Sequence, residues 1–108
     1  MKNANVFVDV DLTLVDGQGR LIDGAREALQ RLHDKGCHLF LWSSVGVDYV
    51  RKVAALHNLT DLFEGFTAKP DIVIDDMPGT AHAPFVYNIQ HEKTWELLAG
   101  RIIDKHID

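Results

Sequence analysis

The chain has 108 residues, 46% hydrophobic and 25% charged, which sets a single domain near the commonest size, roughly 100–150 residues, and needs no disulfide or structural metal. Eleven Lys and Arg against sixteen Asp and Glu leave a net charge of −5 with no basic stripe or tail. Non-specific nucleic-acid binding, which rests on neutralising phosphates, is therefore disfavoured.

From Val6 to Val10 a near-continuous apolar run, broken by Asp9, predicts a strand covered on both faces and ending in acids. Gly17 and Gly19 mark a tight turn between LTLV and LI, the short arms of a hairpin that suggests a flap. A helix follows, with Asp23 as N-cap, Ala25, Ala28, Leu29 and Leu32 on its apolar face and Gly36 as its stop. Cys37, a lone cysteine expected to be a buried thiol, precedes a second strand over His38–Trp42. The next helix runs over residues 47–57 with Val50, Val53, Ala54 and Leu56 inward, and Asn58 ends it.

Phe63–Thr67 reads as a short strand and Asp71–Asp75 as another apolar strand ending in acids, before Pro78 and Gly79 force a turn. Phe85–Ile89 is the last strand, and Glu92–Ile107 a helix with Trp95, Leu98, Ile102 and Ile103 inward. No window approaches the ~18 apolar residues of a membrane span, and the first residues hold no signal-peptide segment, so the expectation is a cytoplasmic protein with no membrane partner. His33, His38, His57, His82, His91 and His106 show no metal-ligand spacing and are assigned to surface or packing; His82, shortly after paired acids, stands nearest to the candidate chemistry.

Alternating strands and helices predict an α/β fold with a doubly wound, mostly parallel sheet between two helical layers and right-handed connections. In such sheets the ligand site lies beyond the carboxyl ends of the strands. Three predicted strands deliver polar residues there: Asp9 and Asp11, then Ser43 and Ser44, then Asp75 and Asp76. Four carboxylates in one crevice repel one another unless a cation or shared protons neutralise them. Mg²⁺, which takes oxygen ligands, waters and substrate phosphate, is the natural solution, and Lys69 adds positive charge for the same phosphate. The plainer account makes each acid a solvated strand-end cap.

These segments together resemble the haloacid dehalogenase (HAD) superfamily. VFVDVDLTLVD is similar to its first motif, LFLWSS to its second, Lys69 with Pro70 to its third, and IVIDD to its fourth, all in family order. The resemblance implies a Rossmann-like HAD core and a Mg²⁺-dependent phosphatase in which Asp9 is the nucleophile that becomes an aspartyl phosphate. It makes Asp11 the general acid and then base, with Thr13 orienting the pair. Ser43 and Lys69 would bind the phosphoryl oxygens, and Asp9, the Asp11 backbone carbonyl and either Asp75 or Asp76 would hold the metal.

The sequence departs from the family pattern in two ways. Only a short stretch separates Lys69 from Asp75, where many members carry a helix, and neither gap that usually holds an inserted cap domain is long enough for one. A capless site implies a phosphorylated macromolecule, or a small molecule under a lid supplied by a neighbouring subunit of a homo-oligomer. A response-regulator receiver, which also uses acids, a hydroxyl, a lysine and Mg²⁺, is set aside because no fitting aspartate follows the middle strand. Asp11 argues against dehalogenation and the missing cap against mutase chemistry. The alternative is a non-catalytic binding or regulatory protein that keeps this fold and metal site.

Overall fold

A computed structural model describes all of Met1–Asp108 as a mixed α/β chain with three α-helices and two small parallel sheets. It divides into two compact units, Met1–Lys69 and Pro70–Asp108. No helix is long and apolar enough to cross a membrane.

In the first unit β1 (Asn5–Asp9), β2 (His38–Ser43) and β3 (Gly65–Ala68) lie side by side in that order, all parallel. The register pairs Val6 with Leu39 and Val8 with Leu41, so the branched residues of both strands fall in one layer. That layer is the core: Leu39 and Leu41 are fully buried, with Val10, Leu14 and Val15 from the chain just past β1. α1 (Ala25–Asp34) and α2 (Val47–Leu56) supply Leu29, Val50, Val53 and Ala54 to the same cluster. Because side chains alternate along a strand, Phe7, Asp9, Phe40 and Trp42 take the other face. There the Phe7 ring stacks on Phe40 and tilts against Trp42, both at 4.9 Å between centroids. Gly65, paired with Phe40, leaves room for that ring, since a Cβ at Gly65 would come within 2.7 Å of it.

The two helices of this unit end by the same device. Gly36, at φ 91°, lets the Cys37 N–H return to the Leu32 carbonyl and its own N–H to that of His33. This is the left-handed helix stop that glycine favours. α2 ends the same way on Asn58, at φ 55°, with Leu59 N–H donating to Ala54 and Asn58 N–H to Ala55. The reversal carries Leu59 under the helix, where it is fully buried, and leaves Leu56 72% exposed. The expected inward position of Leu56 is therefore corrected: the apolar face closes on the residue after the turn.

At its other end α1 begins at Gly24, in a left-handed conformation and without a side-chain cap, so Asp23 is not the N-cap the spacing predicts. The Ala25 N–H already bonds to Ile22, and the chain turns one residue later than expected. Of the predicted face of α1, Leu29 is buried and Ala25 packs on the core, whereas Ala28 is exposed and Leu32 is 38% exposed. Cys37 is only partly buried against the same core.

In the second unit β4 (Ile72–Asp75) pairs in parallel with β5 (Phe85–Asn88), and a 3₁₀ turn over Pro78–Thr80 lies between them. α3 (Trp95–His106) is capped by the Thr94 hydroxyl, which accepts from the Leu97 N–H at 3.1 Å. The helix therefore starts three residues later than expected. Leu98 is fully buried, but Trp95 is 63% exposed and Ile103 55%. Trp95 opens the helix, and a helical side chain leans toward the turn before its own, which here does not exist. His106 is held between the Phe85 ring, 4.3 Å away, and the Tyr87 hydroxyl at 2.6 Å, a packing role.

Candidate functional site

Asp9, Ser43 and Lys69 stand at or just past the carboxyl ends of β1, β2 and β3, because a parallel sheet puts all its strand ends on one edge. The Lys69 N–H donates to the Ser43 carbonyl at 3.0 Å, which carries the ladder one residue beyond β3 and fixes where the lysine leaves the sheet. Its side chain then passes over Trp42, 5.7 Å from the ring centroid, and reaches Asp9 Oδ1 at 3.1 Å. Asp9 and Trp42 are register partners, so the lysine, the indole and the carboxylate share one face. The two charged side chains are 38% and 34% exposed, open enough to meet a ligand without first breaking the core.

Asp11 lies beyond the strand, so strand alternation does not set its direction. The Val10 carbonyl accepts the N–H groups of Thr13, Leu14 and Val15, winding the chain into one tight turn, with Leu12 at φ 60°. Asp11 projects from that turn, and the Tyr49 hydroxyl donates to its Oδ1 at 2.6 Å. Donation to Asp11, partial burial and the negative charges of Asp11 and Asp9 hold the Tyr49 phenol above its ordinary value of 10.0, so it remains a donor at neutral pH. Thr13 is exposed and engages through its backbone.

Ser43 is 2% exposed, on the helix-covered face, and its hydroxyl accepts from the Val45 N–H at 3.1 Å in the loop leading to α2. Asp75 and Asp76 belong to the second unit. Asp75, at the end of β4, accepts from the Met77 N–H at 2.8 Å, while Asp76 and His82 are exposed.

Beside Asp11 the predicted hairpin is present as a single bridge, Val15 to Leu21, closed by Asp16 N–H to the Arg20 carbonyl at 2.8 Å. Asp16 organises its tip: Oδ1 accepts from the Gln18 and Arg20 N–H groups, and Oδ2 from the Arg20 guanidinium at 3.1 Å. Those backbone donors, with help from the guanidinium, hold the Asp16 carboxyl below its ordinary value. The His57 ring meets the Gly19 carbonyl at 3.0 Å, tying the flap to the end of α2. Between flap and helix lies a cleft of about 200 Å³ lined by Val15, Tyr49, Val53 and Leu56.

The first unit thus brings Asp9 together with Lys69, and places Tyr49, which the motifs do not contain, on Asp11. The signal for Tyr49 was weak: a hydroxyl-bearing ring in the first turn of the helix that follows the second strand. No group of three or more His, Cys, Asp or Glu side chains is gathered to hold a metal. The donors present, Asp9 and the backbone at Asp11, are hard oxygens, and Mg²⁺ needs only one or two protein carboxylates when water and phosphate complete its shell. Set against known proteins, the chain matches no protein-family model, no curated protein and no solved structure.

Proposed function

We propose that the chain is a Mg²⁺-dependent phosphomonoester phosphatase of HAD type, with the capless, Rossmann-like, doubly wound three-layer core that its motif order implies. The observation that carries this reading is the ion pair of Lys69 with Asp9 at 3.1 Å, formed between the first and third motifs at the carboxyl edge of a parallel sheet.

A carboxylate oxygen of Asp9 attacks phosphorus, the bond from phosphorus to the leaving oxygen breaks, and Asp11 gives its proton to that oxygen. Water then attacks the aspartyl phosphate, Asp11 takes a proton from it, and the bond to Asp9 breaks to release inorganic phosphate. Splitting the displacement in this way replaces one difficult step by two easier ones. Lys69 offers its charge to the phosphoryl oxygens as they approach. Asp9 and the Asp11 main-chain carbonyl would hold Mg²⁺, which would supply further positive charge against those oxygens. Motif order assigns Ser43 to a phosphoryl oxygen, and the Thr13 N–H helps close the turn that carries Asp11. The substrate is a phosphorylated small molecule or macromolecule.

Hydrolysis of p-nitrophenyl phosphate with Mg²⁺, and again with a chelator, tests the reading. Metal-dependent release of nitrophenolate is expected. No release, together with Mg²⁺-dependent thermal stabilisation by beryllofluoride that Asp9→Asn loses, would point to a phosphatase with a strict substrate requirement; no release and no such stabilisation would favour a binding or regulatory protein.

A further inference from the structure

Both oxygens of Asp11 are chemically alike, yet the structure treats them differently. Tyr49 occupies Oδ1 and nothing in the fold occupies Oδ2. The tyrosine ring packs against the buried cluster from the first turn of α2, so its hydroxyl is a fixed point, whereas Asp11 is exposed on a tight turn. An exposed carboxylate without such a tether samples several rotamers. We propose that Tyr49 is a positioning residue that locks the Asp11 carboxylate and makes Oδ2 the oxygen that delivers the proton to the leaving group. The inference rests on the phosphatase reading of Asp9 and Asp11.

In the first step the O–H bond at Asp11 Oδ2 breaks, the proton joins the leaving oxygen, and the phosphorus–oxygen bond pair departs with that oxygen. Asp11 is left as a carboxylate whose Oδ1 still accepts from Tyr49. In the second step Oδ2 takes a proton from the attacking water, so the same atom serves both directions and Tyr49 keeps its own proton throughout. Misplacing a proton donor by about 1 Å can cost on the order of 10²-fold, and general acid catalysis is itself worth about 10²–10⁴-fold.

Leaving-group dependence isolates this role. A nitrophenolate departs readily without a proton, whereas an alkoxide needs one. Wild type and Tyr49→Phe, which keeps the ring and its packing, are compared on p-nitrophenyl phosphate and on β-glycerophosphate. The variant is expected to lose about 10-fold more in kcat on β-glycerophosphate than on p-nitrophenyl phosphate. Equal losses on the two esters would make Tyr49 merely structural and overturn the proposal, as would no loss on either.

A wild type that hydrolyses neither ester and gains no Mg²⁺-dependent stabilisation from beryllofluoride removes the phosphatase reading, and the proton-delivery role falls with it. The tether is read separately from the Asp11 Hα–Hβ couplings by NMR. One fixed rotamer in wild type and averaging in Tyr49→Phe support it; averaging in wild type overturns it.

Discussion

Lys69 and Asp9 hold each other at 3.1 Å, so removing either leaves the other without its partner at the proposed phosphate site. Asp9→Asn changes little in volume and is expected to lower kcat by about 10³-fold or more with the circular-dichroism spectrum unchanged, since it deletes the proposed nucleophile. Lys69→Met should cost about 10²–10³-fold, the scale of losing one transition-state charge contact, in the same p-nitrophenyl phosphate assay. Asp16 makes a structural prediction of a different kind. Its folded pKa is depressed, so its stabilisation of the flap is present at neutral pH and is lost as pH falls below the ordinary value of 3.8 toward the folded one. Protection of the Gln18 and Arg20 amides, relative to their intrinsic exchange rates, should fall over that range in wild type, and should already be low at neutral pH in Asp16→Ala. The shared edge of Asp9 and Lys69 was legible in the sequence because each closes an apolar strand run, and a parallel sheet gathers its strand ends on one side. Tyr49 was not, because its contact depends on the phase of α2 against a turn formed by the chain after β1.

Secondary elements followed from apolar runs and their punctuation, and the departures come from how helices end. The spacing of α2 placed Leu56 in the core, but the left-handed turn at Asn58 substitutes Leu59. Leu59→Ala should therefore cost about 2–5 kcal/mol in denaturant unfolding, while Leu56→Ala stays within about 0.5 kcal/mol. Asn58→Val, which puts a branched side chain in the left-handed region, should cost a further ~1–2 kcal/mol, and Asn58→Gly should be tolerated. The same reasoning explains Trp95: periodicity marks a stripe, but a residue that opens a helix has no preceding turn to lie against. Gly65 shows a limit of another sort, since its need to be small comes from the Phe40 ring on a neighbouring strand. Nothing local in GFTA announces that.

Across the chain the motif order spans both units: Asp9, Asp11, Ser43 and Lys69 in Met1–Lys69, and Asp75 and Asp76 in Pro70–Asp108. The α/β class and the parallel pairing were legible because strand and helix patterns alternate; the division at Lys69–Pro70 was not, since no composition shift or linker marks it. Asp75 and Asp76 are metal candidates only on the phosphatase proposal, and each is tested alone: an Asn variant at a ligand should raise the Mg²⁺ concentration for half-maximal turnover by at least about 10-fold, and one at a bystander by much less. The covalent role of Asp9 is tested most directly by acid quenching during turnover, followed by peptide mass spectrometry. Asp11→Asn, in which breakdown of the intermediate should be slowed, is mixed with p-nitrophenyl phosphate and Mg²⁺. A phosphoryl adduct on the peptide containing Asp9, absent when Asp9→Asn is added, is the predicted result. Wild-type turnover retained by Asp9→Asn, with no adduct in either protein, would contradict it.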